Sequence, residues 1–347
     1  MSGPDRDSVG IVSAGMYLPA QILTAEEIAK LSGLEEWVIR GKIGILEKRM
    51  AGPDDHPNQM AVWAAQDCLS KCDINPEDID VVLCTTEEWK EYINWTAGID
   101  LAYRIGAMNA WGMDVHMRCC TTISALKIAK DMMHSDPEIN TVLICGGYRV
   151  GDLVNLKNHR TTFAFNIGAG AGALLLQRGW PRNQVLGTHM MTDGSMSRHV
   201  VIPASGTIQF PTDEAVAQGL FYLDLVEPEA MKARLNEVTM DNWFFCIDEA
   251  LRKSGCTRAN VDFLNMILVK PSIYEEMLQR LGLTEARGIY NNTYGHVGEQ
   301  DSIINIIEGE KQGRLKDGDL MLIVAAGVGY VWGACCIRWG PYESQTE

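Results

Sequence analysis

Residues 76–86 read PEDIDVVLCTT and residues 259–271 read ANVDFLNMILVKP, and the likeness between them decides how the chain is organised. Each is a short apolar run, rich in β-branched side chains and led in by polar residues. Each is followed by a helical pattern and a second apolar run. In the first half these are ISALKIAKDMM (123–133) and TVLICGG (141–147); in the second, SIINIIEGEKQG (302–313) and LMLIVAAG (320–327). The halves therefore run from a strand at Asp80 or Asp262 to another near Val142 or Leu322. A duplicated α/β unit can bury its sheet faces against its twin; the alternative is chance similarity between ordinary βαβ units.

Outward from this repeat, VGIVSAGMYLP (9–19) reads as a further strand and MAVWAAQDCLSKC (60–72) as a helix. Between the halves, GWPRNQVLGTHMMTDGSMSRHVVIPASGTIQFPTD (179–213) is rich in Gly, Ser, Pro and Thr. It reads as loops and the start of the second half.

The chain has 347 residues, 46% of them hydrophobic, enough to fill a sizeable core. No apolar stretch is long enough to span a bilayer, and MSGPDRDSVG at the start lacks the apolar segment of a secretory signal; the expected location is the cytoplasm. A formal charge of -15 argues against nucleic acid as partner, since that binding needs clustered Lys and Arg. Of ten cysteines, Cys68, Cys84, Cys145, Cys246, Cys335 and Cys336 lie in apolar patterns and read as buried thiols. Neither Cys119-Cys120 nor Cys335-Cys336 has zinc-ligand spacing, so no metal is expected.

The chemistry points to DVHMRCCTTISALKIAKDMM (114–133), where a strand-like start passes through two adjacent cysteines into a helix with Ile123, Leu126, Ile128 and Met132 along one side. A thiol at a helix N-terminus is set against backbone N–H groups and the positive end of the dipole, which favour a thiolate. Arg118 beside it adds positive charge. On this stretch alone, two packed core thiols are an equal reading.

Several ordered motifs resemble the thiolase superfamily, particularly β-ketoacyl-ACP synthase III and the archaeal-type 3-hydroxy-3-methylglutaryl-CoA synthases. They are SVGIVSAGMYLPAQILTAEEIA (8–29), EEWVIRGKIGILEKRMAGPDD (35–55), AAQDCLSKCDINPEDIDVVLCTT (64–86), the glycine-rich FAFNIGAGAGALLL (163–176) and GRLKDGDLMLIVAAGVGYVWGACCIRW (313–339). The resemblance covers nearly the whole chain. It implies an α/β thiolase fold of duplicated βαβαββ halves in a five-layered α-β-α-β-α arrangement, with halves at 1–180 and 181–347 and the nucleophile in the first. In that family the nucleophilic Cys lies five residues after an Asp, which from Asp114 falls on Cys119. The implied activity is acyl transfer from a CoA thioester through acyl-Cys119, making or breaking a carbon–carbon bond β to the thioester, with coenzyme A as substrate and no bound cofactor.

The family pattern breaks in two places. Its strand-end His falls on Lys270 in FLNMILVKPSIYEEM (263–277), and its Tyr-Gly-Asn motif resembles YGHVGEQDSI (294–303), with His296 in the Asn position. A desolvated Lys270 would exchange protons or donate to a thioester oxygen; a plain solvated Lys is the alternative. His296 is a candidate general base on Cys119 or on an α-carbon, with Glu299 and Asp301 as residues that orient it or simply open the next helix. Glu87 in LCTTEEW (83–89) resembles the acid/base Glu of hydroxymethylglutaryl-CoA synthases, Trp37 and Arg40 resemble residues flanking the CoA adenine, and Gly327 and Gly329 in VAAGVGY (324–330) suit an oxyanion turn. No cysteine stands between Val324 and Tyr330, where degradative thiolases typically carry a second one.

These departures leave room for an unconventional thiolase, such as the benzoylsuccinyl-CoA-cleaving type, and for a non-catalytic scaffold of the same fold in an acyltransferase complex. The resemblance also implies a homodimer and a small zinc-ribbon/OB-fold partner subunit.

Overall fold

The computed structural model describes residues 8–341, so the polar lead-in at Met1–Asp7 lies outside the described residues. Strands of one large sheet and the helices packed on it are labelled in chain order. The strands are β1 (Val9–Tyr17), β2 (Val81–Cys84), β3 (Trp111–Asp114), β4 (Thr141–Tyr148), β5 (Gly170–Arg178), β6 (Arg182–Thr192), β7 (Phe263–Met266), β8 (Leu320–Gly327) and β9 (Val331–Pro341). The helices are α1 (Pro57–Leu69), α2 (Ala97–Ile105), α3 (Thr121–Ser135), α4 (Pro228–Lys253), α5 (Pro271–Leu281) and α6 (Asp301–Lys311).

The nine strands run in the order β7-β8-β9-β6-β1-β5-β4-β2-β3. In the first half, β1 pairs antiparallel with β5 and β5 with β4, whereas β4, β2 and β3 are parallel. The second half repeats this: β6 pairs antiparallel with β9 and β9 with β8, and β8 runs parallel to β7. Where the first half has β3 at its edge, the second has a single parallel bridge, Leu264 to Gly288. Among the described residues the two half-sheets are joined in one ladder by a single residue pair, Gly10 and Gln184.

Strand residues alternate between two cores because successive side chains point to opposite faces. Leu83 and Leu174 face inward with Ile123 and Leu126 of α3 and Ile303 and Ile306 of α6, and Ile323 joins them from the second half. Val82 and Leu175 face outward onto Met60, Ala64 and Leu101 of α1 and α2. Leu322 and Val324 face the other way, onto Trp243, Ile247 and Met277 of α4 and α5. The layers are thus α1/α2, half-sheet, α3/α6, half-sheet, α4/α5. Burial on both faces explains why the strands read as continuous apolar runs rather than alternating ones. At about 1.5–3 kcal/mol per buried large apolar side chain, the shared central layer is what fastens the halves together.

Close helix-on-sheet packing requires glycine at β1: a Cβ on Gly15 would sit 2.3 Å from the Ala64 carbonyl oxygen of α1. The segment 179–213, read as loops leading into the second half, contains the eleven-residue strand β6, whose register is set by β9. The six cysteines read as core thiols are buried, and all ten are free.

Candidate active site

The turn that carries Cys119, the candidate nucleophile, is built from both sides. Asp114 closes β3 by accepting from the N–H groups of Ala97 (3.2 Å) and Gly98 (2.8 Å) at the start of α2, and from Lys90 Nζ. Its role is to fix the strand end from which the chain turns. Four residues on, Arg118 takes a left-handed φ of 51°, and Arg118–Cys120 form one 3-10 turn into α3. Thr121 Oγ1 accepts from Met117 N–H at 2.8 Å and donates to the Arg118 carbonyl at 2.6 Å, locking the turn. Cys119 emerges half-buried at the helix N-terminus, whereas Cys120 is fully buried in the central core. Burial pushes the Cys120 thiol well above its ordinary range. The pair is thereby split into one accessible and one packed thiol, as the spacing from Asp114 anticipates.

His296 reaches the same point from the second half. Its N–H donates to the Asn166 carbonyl at 2.7 Å and its carbonyl accepts from Gly168 N–H at 2.9 Å, so the glycine-rich turn before β5 holds it in place. Nε2 lies 3.2 Å from Cys119 Sγ, and Nδ1 lies 2.6 Å from Asp301 Oδ2. Asp301 opens α6 and is 1% exposed; its carboxylate also accepts from the N–H groups of Val297 (2.7 Å) and Leu268 (2.8 Å). Of the two acids offered for orienting His296, Asp301 is the one bonded to the ring. Burial works against a charged imidazole, but the Asp301 carboxylate and the adjacent Cys119 sulfur outweigh it and hold the His296 pKa well above its ordinary value. With Nδ1–H directed at Asp301, Nε2 faces the thiol and can take its proton.

Glu299 faces the same space. It is fully buried, Oε1 accepts from Gln300 Nε2 at 2.7 Å, and Oε2 has no hydrogen-bond partner among the described residues. Burial first, and then the charge of Glu87, raise its pKa well above the ordinary carboxyl range. Glu87 is buried and accepts from Arg118 Nη1 at 2.7 Å; burial raises its pKa, with Arg118 opposing. Tyr148, which the sequence reading did not single out, completes the enclosure with its ring 6.2 Å from that of His296. Burial, then the charges of Cys119, Glu87, Glu299 and Asp301, push its hydroxyl well above the usual range, so these groups lie near one another. Its aromatic type alone carried no signal; only the ends of β4 and the 294–303 loop meeting place it there.

Gly327 lies directly against the nucleophile's turn: a Cβ there would be 2.7 Å from Arg118 Cβ and 3.1 Å from Cys119 N. Gly329, two residues on, has φ 126° and open space beside it.

Other candidates fall elsewhere. Lys270 is exposed at the N-cap of α5, which corrects the reading of a desolvated catalytic lysine: the strand end turns it outward, and the second half reaches the site through Leu268 N–H instead. Trp37 is 62% exposed, and Arg40 pairs with Glu36 at 2.6 Å. Their helical segment is anchored by Ile39 and Ile43 against Phe165, next to the Asn166 that holds His296, and Leu268, whose N–H bonds Asp301. Glu87, Glu88 and His116 bring ligand atoms within 4.8 Å of one another, but Arg118 bonds to both glutamates, so a guanidinium already supplies the positive charge.

A half-sheet topology repeated about a central helix layer, with a cysteine at the buried helix N-terminus, defines the thiolase class of fold. Comparison with known proteins agrees. The family described as 3-oxoacyl-[acyl-carrier-protein (ACP)] synthase III matches residues 113–194, and its C-terminal counterpart matches 251–339. Curated relatives named β-ketoacyl-[acyl-carrier-protein] synthase III include those of Symbiobacterium thermophilum, 28% identical over 96% of this chain and 98% of the relative, and Caldanaerobacter subterraneus, 29% identical over 96% and 99%. The crystal structure of 3-oxoacyl-(acyl carrier protein) synthase III from Pseudomonas aeruginosa superposes with a TM-score of 0.82 over 97% of this chain and all of that one, at 19% identity. OleA from Xanthomonas campestris superposes at 0.77 over 98% and 100%, at 18% identity. The chain thus has the thiolase fold and is similar along nearly its whole length to the β-ketoacyl-ACP synthase III branch of the thiolase superfamily, a class of acyltransferases.

Proposed function

We propose that the protein transfers acyl groups between CoA thioesters and a carbon nucleophile, making or breaking the bond β to the thioester through acyl-Cys119. The observation that carries this reading is the Cys119–His296–Asp301 chain, at 3.2 and 2.6 Å. His296 Nε2 takes the thiol proton, and Asp301 steadies the imidazolium. The thiolate attacks the acyl carbonyl, and the oxyanion forms at the N-terminus of α3, where backbone N–H groups and the Gly327–Gly329 turn surround it. Collapse leaves the acyl group on sulfur, open to a carbanion in synthesis or to CoA in cleavage.

A non-catalytic scaffold would have no need to bury Asp301 and aim it at His296, and the intact triad favours the enzyme. The test is direct. The protein is incubated with β-ketoacyl-CoA plus CoA, and separately with pairs of acyl-CoA thioesters, and the thioesters are resolved by mass. New thioesters in either arm support the reading and give its direction; none in both arms leaves the scaffold.

A homodimer through the β3 edge is part of the proposal. Trp111 on that edge strand and Ile99 and Tyr103 on the neighbouring α2 are 49%, 60% and 69% exposed, an apolar grouping suited to burial against a second copy. Trp37 and Arg40 remain the proposed contacts for the adenine end of CoA.

A further inference from the structure

Forming or breaking a carbon–carbon bond next to a thioester moves two protons, one at the nucleophile and one at the α-carbon. His296 is engaged at both ring nitrogens, with Cys119 and with Asp301. No cysteine stands between Val324 and Tyr330. A second proton carrier must come from elsewhere in the pocket.

Glu299 sits on the 3-10 turn Gly298–Gln300, between His296 and Asp301 in sequence. That turn is clamped to the nucleophile's helix, because Thr122 Oγ1 donates to the Glu299 carbonyl at 2.7 Å. Its carboxyl is fully buried, with Oε1 on Gln300 and Oε2 unpartnered. Gln300 Nε2 is shared with Thr85 Oγ1 at 3.0 Å, so the amide is fixed and cannot swing to Oε2. A buried polar atom without a partner is costly, and at an active site a reacting group is its natural complement. The groups facing it are Cys119, Glu87 and Tyr148. Glu87 has Arg118 to balance its charge, whereas no cation is paired with Glu299 among the described residues, so of the two neighbouring buried carboxyls Glu299 is the one whose environment more favours the protonated form.

We propose that Glu299 is a further catalytic residue, the acid–base that exchanges a proton with the α-carbon of the CoA thioester. The assignment rests on the acyl-Cys119 reading. In the cleavage direction, the Cys119 sulfur bonds to the β-carbonyl carbon, and the bond between the α- and β-carbons breaks with its electron pair passing to the thioester enolate. The Glu299 O–H bond breaks as its proton moves to the α-carbon, leaving a carboxylate. The S–H proton of the incoming CoA thiol restores Glu299, its sulfur takes the acyl group, and Cys119 departs as a thiolate against protonated His296. Condensation is the reverse.

The test uses the whole protein in ²H₂O with acetyl-, propionyl- and butyryl-CoA, reading deuterium at the α-carbon and the adduct on Cys119 by mass. Wild type is expected to incorporate deuterium. Glu299→Gln, which keeps the shape, is expected to do so at least about 10²-fold more slowly while still acylating Cys119, and Glu299→Asp to fall between. Exchange at the wild-type rate in Glu299→Gln overturns the assignment, as does absence of exchange by wild type with all three thioesters. Equal loss of exchange and of acylation in Glu299→Gln also overturns it, since that marks a merely structural role. A missing Cys119 adduct in wild type counts against the acyl-enzyme reading and is scored separately.

Discussion

Cys119 and Cys120 are chemically identical and adjacent, yet the turn gives them opposite fates: one faces His296, the other is sealed in the core. In the proposed mechanism, Asp301 makes the difference between a histidine near a thiol and a base. Asp301→Asn would remove the charge that steadies the imidazolium and set an amide N–H against the Val297 or Leu268 N–H, and turnover is expected to fall on the order of 10³-fold or more. Turnover within a few-fold of wild type would remove Asp301 from the mechanism. The raised His296 pKa also links to stability. A histidine whose folded pKa exceeds its ordinary 6.5 stabilises the fold fully below that value, and the contribution is lost as pH rises through the folded pKa. The stability difference between wild type and His296→Ala should therefore be largest near pH 6 and shrink at alkaline pH; thermal unfolding across pH reads it, and a constant difference would contradict it. From the sequence, the family resemblance of the Asp114 spacing pointed to Cys119, and His296 stood out as an imidazole in an amide's place. Lys270 was not legible, because whether a strand-end side chain turns into the pocket or into water depends on the residue at which the strand leaves the sheet.

Among the elements, the turn after β8 is held closest to the nucleophile. Gly327→Ala would place its Cβ 2.7 Å from Arg118 Cβ and 3.1 Å from Cys119 N, so either the turn or the nucleophile must shift. The expected result is loss of acylation together with about 1–3 kcal/mol of stability, as for other overpacked sites. Unchanged acylation kinetics would show that this turn does not frame the oxyanion. The strands and the helices α3 and α6 were readable because their apolar residues sit on both faces of a buried sheet. β6 was not, because its Gly, Thr and His residues imitate a loop and only pairing with β9 makes it a strand.

For the whole molecule, the repeat seen in PEDIDVVLCTT and ANVDFLNMILVKP becomes two half-sheets around one helix layer, and the site lies where both halves supply a part. Cys119 comes from the first and His296 with Asp301 from the second, so neither half carries the chemistry alone. The β3 edge with Trp111 is the proposed continuation into a second copy, and Trp111→Asp is expected to shift the sedimentation of a dimer toward monomer; a wild-type monomer would contradict this. The central claim is that Cys119 is the thiol that carries the acyl group. Its most direct measurement is the intact mass of the protein after exposure to a panel of acyl-CoA thioesters, followed by peptide mapping. The account predicts one acyl adduct, on Cys119, absent in Cys119→Ala and retained in Cys120→Ala. An adduct on another cysteine, or one that survives Cys119→Ala, would contradict it.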